Sequence, residues 1–266
     1  MTQTGFIGLG SQGGPMAERM RAAGFPLAVW ARRAEALQPF VSKGATAAAS
    51  VAELGAACDH VGVCVVDDRG VAAICDQLIP AMRSGSLLAI HSTILPESCV
   101  ALAARCAERS IAFVDAPVSG GGQGAAAGTL TVMCGGDADA FAQARPVFDA
   151  FAGLCVHLGS AGAGQRAKLV NNALMAANMG LAQAAIGAGT ALGIDRAALA
   201  ELIKVSSGRS YGFEVFARLP SPRSFAQGAP LLAKDVGLLI AALPDDPGAE
   251  ALRAAAEPFL TAANAA

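Results

Sequence analysis

Lys168 is one of only four lysines in a chain of 266 residues, and it lies in Gly162-Ala-Gly164-Gln-Arg-Ala-Lys168-Leu-Val-Asn171-Asn172, just inside a long alanine-rich stretch. If that stretch is helical, residues i and i+4 share a face, and Lys168 and Asn172 project side by side. An amine whose pKa falls readily on burial is a candidate general acid or base, whereas a lone lysine near a helix start is ordinarily a solvated one. Two glycine clusters offer company for it. Gly8-Leu9-Gly10-Ser11-Gln12-Gly13 is a GxGxxG near the N-terminus, and Asp115-Ala-Pro-Val-Ser119-Gly120-Gly121-Gly122 is the second. The first has the spacing that cradles a dinucleotide: one glycine for the tight turn, one for close approach to a pyrophosphate, one for helix–strand packing. The second can turn several backbone N–H groups and the Ser119 hydroxyl toward one small anion such as a carboxylate, or it can be a flexible surface loop.

These residues need a scaffold, and the chain supplies one in two parts. Short apolar runs at Gly5–Ile7, Leu27–Trp30, Val61–Val66, Leu87–His91, Ala112–Val114, Leu130–Cys134 and Val156–Leu158 predict strands. Helical segments are expected between most of them, over Pro15–Ala23, Ala34–Lys43, Arg69–Leu78, Pro96–Arg109 and Ala138–Ala150. Such alternation implies a mostly parallel sheet covered on both faces, a doubly wound α/β Rossmann domain over residues 1–161. Beyond Gly159 the pattern becomes helix after helix: about Ala163–Leu192, Arg196–Val205 behind an Asp195 cap, Pro230–Leu243 and Gly248–Ala263. An all-helical domain over 162–266 is therefore expected to follow through a long helix that begins with Lys168. In this setting the first glycine motif sits between a strand and a helix, which raises it well above a chance match.

The second predicted strand ends at Val29-Trp30-Ala31 and is followed by Arg32-Arg33, with no Asp or Glu to hold a ribose 2′-hydroxyl. An arginine there pairs with a 2′-phosphate, so NADP is favoured and NAD is the alternative; both arginines simply solvated at a helix start is the plainer reading.

Taken in order, Gly8-Leu-Gly10-Ser-Gln-Gly13-Gly-Pro-Met16-Ala17, Asp115-Ala-Pro-Val-Ser-Gly-Gly121, Gly128-Thr-Leu-Thr-Val-Met133, Gly162-x-Gly164-x-x-x-Lys168-x-x-Asn171-Asn172 and Lys234-Asp235 resemble the β-hydroxyacid dehydrogenase family over nearly the whole chain to about Ala242. That family includes 3-hydroxyisobutyrate, tartronate semialdehyde and 6-phosphogluconate enzymes. The resemblance implies that Gly8, Leu9, Gly10, Ser11, Gln12 and Gly13 hold the pyrophosphate, that Arg32 reads the adenosine ribose, and that Val65 and Thr93 touch the cofactor. It also implies that Ser119, Gly120 and Gly121 hold the substrate carboxylate, that Lys168 is the catalytic acid/base, and that Asn172 positions the substrate. Lys234 and Asp235 fall where the family's helical domain closes over the nicotinamide. The chain departs from the family at Gln12, where methionine is common, and at Ala31, where asparagine is frequent. After Lys234-Asp235 it meets Pro244-Asp-Asp-Pro247 and is expected to finish in a short alanine-rich helix. Ser206–Glu214 is similar in part to branched hydroxyacid enzymes and in part to sugar-acid enzymes. There Arg209 and Tyr211 could line the pocket, or Tyr211 could pack between helices.

Composition bounds the rest. With 54% hydrophobic and 15% charged residues the chain must bury a large core, and its few aromatics leave that core to Ala, Val, Leu and Ile. Net charge is −2 with no basic stripe, so nucleic acid is an unsuitable partner. The longest apolar tract, around Ala173–Leu192, is broken by Asn178, Gln183 and glycines, which suits a buried helix rather than a membrane span. Seven cysteines without a CxxC pair suggest buried thiols in a reducing compartment, no metal site and a cytoplasmic protein, and a start without a charged n-region or cleavage pattern suggests no signal peptide. The expected partner is a small hydroxy acid, and the expected assembly a homodimer or higher homo-oligomer. Two rivals stand beside a dehydrogenase. An imine reductase shares the architecture but commonly lacks a lysine at this position, and a non-catalytic NADP sensor would not need one.

Overall fold

The computed structural model describes residues 1–265. They form two compact units, Met1–Lys168 and the residues from Leu169 onward. The first is a Rossmann-like α/β domain. Its elements are β1 (Thr4–Ile7), α1 (Gly13–Ala22), β2 (Leu27–Trp30), α2 (Gln38–Val41), β3 (Thr46–Ala47), α3 (Val51–Ala57), β4 (His60–Val63), α4 (Asp68–Ala81), β5 (Leu87–Ile90), α5 (Pro96–Ala107), β6 (Ala112–Asp115), β7 (Val118–Ser119), α6 (Gly121–Ala127), β8 (Leu130–Gly136), α7 (Ala138–Phe148), β9 (Ala152–His157) and the start of α8 (Ala163–Ala191).

The strand order is β3-β2-β1-β4-β5-β6-β8-β7, with β9 beside β8. Pairing is parallel from β3 to β6, turns antiparallel at β6–β8 and β7–β8, and is parallel again at β8–β9. Because successive side chains leave opposite faces of a strand, Phe6 and Leu87 enter one core while Ile7 and Leu88 enter the other. Both faces are covered, which is why these strands read as continuous apolar runs rather than alternating ones.

Several features differ from the sequence expectation. The strand expected over Val61–Val66 ends at Val63, so Cys64 and Val65 lie in the turn beyond it. β3 and α3 were not anticipated; Ser50 starts α3 by accepting the Glu53 N–H at 3.0 Å. The second glycine cluster is not a loop but the two-residue β7 followed by α6, because packing outweighs the low helix propensity of glycine.

The second unit holds the rest of α8 with α9 (Arg196–Lys204), α10 (Tyr211–Arg218), α11 (Ala229–Ala242) and α12 (Pro247–Asn264). The final helix, expected over Gly248–Ala263, runs from Pro247 to Asn264. Small residues let these helices approach: a Cβ on Gly180 would collide with the Ala255 carbonyl oxygen, so α8 and α12 pack backbone to backbone there. Among the described residues, no helix is long and apolar enough to cross a membrane.

Candidate active site

The turn after β1 divides its labour among three glycines. Gly8 has φ +101°, and a Cβ on it would strike the Cys64 carbonyl oxygen, so it must be glycine to let the turn lie against the end of β4. Gly13, the first residue of α1, packs in the same way on the Gly8 carbonyl oxygen. Gly10 alone has no heavy atom within 4 Å of its Cβ position. That open space before the N–H groups of α1 suits a pyrophosphate, with the positive end of the helix dipole facing it. Leu9 anchors the turn on the core, while Gly10 and Ser11 are exposed and Gln12 precedes the helix. Arg32 is exposed just past β2, and Arg33 lies 3.9 Å from Glu35. No acidic side chain occupies the strand end where a ribose hydroxyl would be read. A nicotinamide dinucleotide therefore fits the residues present.

The second glycine cluster is built onto this turn. A Cβ on Gly122 would come within 2.5 Å of the Ser11 carbonyl oxygen, so α6 and the first turn are in direct contact. Gly120 and Gly121 have φ of +127° and +63°, which carries the chain from β7 into α6 and leaves both exposed. Ser119, half-buried, ends β7 opposite Thr131.

Lys168 is brought to the same strand. Its amine nitrogen donates to the Val118 carbonyl oxygen at 2.7 Å, and only 8% of the residue is exposed. The start of α8 is fixed from a distance by Asp115, whose carboxylate accepts the Gly162 N–H at 2.7 Å and the Gln165 N–H at 2.8 Å. Two otherwise orphaned amides at the helix start are thus satisfied by a residue at the end of β6. Burial raises the Asp115 pKa, and the two amide donors pull it back down. Gly164 is needed because a Cβ there would meet the Met133 carbonyl oxygen. Gln165, fully buried, donates to the Ser92 carbonyl oxygen at 2.8 Å and accepts from the Ile94 N–H at 3.2 Å. The Ser92 hydroxyl in turn accepts the Val65 N–H at 2.7 Å. Val65 and the two residues that flank Thr93, the other expected cofactor contact, are therefore held in one network.

Residues 3–159 match the family described as the NAD binding domain of 6-phosphogluconate dehydrogenase. Residues 162–266 match the one described as the NAD-binding region of NADP-dependent 3-hydroxyisobutyrate dehydrogenase. The chain belongs to the β-hydroxyacid dehydrogenase family. As a member of that family it is an NAD(P)-dependent hydroxyacid dehydrogenase. It is 40% identical over 257 residues to the NAD-dependent L-serine dehydrogenase of Pseudomonas aeruginosa, covering 90% of this chain and 84% of the relative. It is 34% identical over 253 residues to the 3-hydroxyisobutyrate dehydrogenase of the same organism, covering 91% and 85%. A solved structure of Mycobacterium tuberculosis 3-hydroxyisobutyrate dehydrogenase with L-serine is similar at a TM-score of 0.87 and 29% identity, covering 97% of this chain and 92% of that one.

The other expected site positions, Asn172, Lys234 and Asp235, lie in the helical unit. Asn172, one turn beyond Lys168 on α8, donates to the Asp235 carboxylate at 2.6 Å and accepts from the Asn171 amide at 3.0 Å. Lys234 lies 3.4 Å from the other Asp235 oxygen. Asp235 is only 4% exposed, so its structural task is to orient Asn172. In the Ser206–Glu214 stretch, Ser210 caps α10 and Arg209 pairs with Glu214 at 2.7 Å. Tyr211 is 67% exposed, which excludes the reading that it packs between helices.

Sequence reasoning gave no role to Asp115, Gln165 or Ser92. The available signals were an acid closing an apolar strand and a glutamine inside the quoted Gly162-to-Asn172 motif. Neither states its partner.

Proposed function

We propose that the enzyme moves a hydride between NADP and the hydroxyl-bearing carbon of a small 3-hydroxy acid, with Lys168 as general acid/base and NAD as the alternative cofactor. The observation that carries this reading is the placement of the buried Lys168 amine on Val118, the residue before Ser119-Gly120-Gly121. The amine and the carboxylate-holding segment are adjacent by construction.

The bound nicotinamide supplies the hydride acceptor. Everything else falls to the chain. Ser119, Gly120 and Gly121 anchor the substrate carboxylate, which fixes the carbon presented for reaction. Neutral Lys168 takes the hydroxyl proton as the carbon–oxygen bond becomes a carbonyl, and the resulting ammonium returns it in the reverse direction. The Val118 carbonyl holds one N–H of the amine and so aims the remainder. Asn172, kept in one orientation by Asp235 and assisted by Lys234, positions the substrate oxygen. L-Serine and 3-hydroxyisobutyrate, for which relatives are named, both carry a hydroxyl β to a carboxylate, which supports this substrate class. The exposed apolar side chains Leu174, Leu181, Leu202 and Val205 support a homodimer or higher oligomer, and the expected compartment is the cytoplasm.

The test is a panel of 3-hydroxy acids and semialdehydes followed by NADPH and NADH absorbance, with Lys168→Ala beside the parent. Turnover of at least one member is expected, falling by ~10²–10⁴ in the variant, the range for losing one acid/base, with cofactor affinity retained. Full turnover in Lys168→Ala would defeat the lysine assignment. Silence across the panel with tight NADPH binding would defeat the 3-hydroxy acid assignment.

A further inference from the structure

The strands that present the cofactor-binding turns stop short of those turns. β4 ends at Val63 and β5 at Ile90, so Val65 and Ser92–Ile94 lie in the turns beyond the strands. Gln165 supplies what a neighbouring strand would. Its side-chain amide donates to the carbonyl of Ser92 and accepts from the N–H of Ile94, bracketing Thr93 on both sides. That pattern, one acceptor and one donor two residues apart, is what an extended segment offers its partner. The Ser92 hydroxyl then extends the hold to Val65. Meanwhile the Gln165 backbone N–H is tied to Asp115, and Lys168 follows within one helical turn. All of these groups belong to the first compact unit.

We infer that Gln165 is a positioning residue that locks the Thr93 turn to the helical turn bearing Lys168, so that hydride acceptor and proton acceptor are registered to each other. This rests on the proposed roles of Thr93 toward the cofactor and Lys168 toward the proton. A side chain with only a packing role would need neither hydrogen bond. The two made here are at a site of zero exposure, where no water can replace them.

The test is Gln165→Met, close in volume and lacking both bonds, with Gln165→Glu, which keeps an acceptor for the Ile94 N–H, as the partial rescue. Each is measured for melting temperature, cofactor dissociation constant by NADPH fluorescence, and kcat per folded site. Misregistration at this distance costs up to roughly 10²-fold in turnover. The methionine variant is expected to lose at least about tenfold in cofactor affinity and in kcat per folded site, with the glutamate variant in between. A methionine variant that is less stable but binds and turns over like the parent per folded site overturns the proposal. Should that variant fail to fold, the glutamate variant alone decides: parental affinity and kcat overturn it, and a combined loss supports it. Failure of the lysine reading is distinguishable, because Lys168→Ala would then keep its turnover while the Gln165 variants still change cofactor affinity.

Discussion

Acid should unfold the nucleotide-binding unit through two histidines that take no part in the chemistry. His60 and His91 are 2% and 3% exposed, in β4 and just after β5. His91 stacks on Phe6 with ring centroids 5.9 Å apart and meets Phe148 and Phe151 edge-on. Its Nδ1 lies 2.8 Å from the Ala116 carbonyl oxygen, which can only accept, so Nδ1 carries the proton of a neutral ring. Even Gly62 serves this cluster, since a Cβ there would come within 2.8 Å of Phe6 and 3.3 Å of His91. Burial pushes His60 down to about 3 from 6.5, with repulsion between the two rings when both are protonated adding to it, and pushes His91 down to about 4 against the pull of the Ala116 carbonyl.

Below about pH 6.5 the unfolded chain binds protons that these folded rings refuse, so stability is fully present above that pH and is lost as pH falls toward 4. At pH 5 each ring contributes a loss of about 2 kcal/mol, or about 4 kcal/mol together, against a typical total of roughly 5–15 kcal/mol. Asp115 acts in the opposite sense. Burial raises its pKa above 3.8, so the folded state binds that proton first, and this contribution is present at low pH and lost as pH rises. Guanidinium unfolding followed by Trp30, the sole tryptophan and a residue of β2, reports on this unit. Stability is expected to fall by about 4 kcal/mol between pH 7.5 and 5. His91→Phe should lower the absolute value and roughly halve the slope, with the Asp115 contribution cancelling in the comparison. A flat profile in the parent, or an unchanged slope in His60→Phe/His91→Phe, would refute the reasoning. Since His91 adjoins Ser92, loss of cofactor affinity should precede unfolding on acidification.

Two further tests bear on the cofactor site. Gly10→Ala should leave the melting temperature unchanged, because nothing lies within 4 Å of its Cβ position, yet abolish tight cofactor binding. Gly122→Ala should weaken both, since its Cβ would sit 2.5 Å from the Ser11 carbonyl oxygen and relieving such overpacking costs roughly 1–3 kcal/mol. Thermal melts with NADPH titrations check the pair, and a destabilised Gly10→Ala would contradict the open cradle. Arg32→Ala should raise the Michaelis constant for NADPH by roughly 10- to 100-fold, the effect of losing one charge-assisted contact, and spare NADH. Equal effects on both would remove the basis for an NADP preference.

What could be read from the sequence was whatever chemistry is local. The first glycine turn, the Lys168–Asn172 spacing and the β/α alternation each depend on neighbours within a turn or two, and the structure has them at the expected elements. Physics at long range was hidden. Asp115 caps a helix 47 and 50 residues away, and Gln165 holds a turn 71 and 73 residues away. No periodicity reports such a partner. The second glycine cluster shows how tertiary contact can reverse a sound local inference. Each glycine costs about 1 kcal/mol in a helix, so Gly121-Gly122-Gln-Gly124 argues for a loop. Yet Gly122 is small because α6 must lie on the Ser11 carbonyl, and Gly124 because Leu130 lies 3.2 Å from its Cβ position. The helix therefore forms through contact rather than propensity. That contact also joins the first glycine turn to the second glycine segment within the first compact unit. A glycine-rich sequence is then the signature of two segments packed against each other, which composition alone cannot distinguish from flexibility.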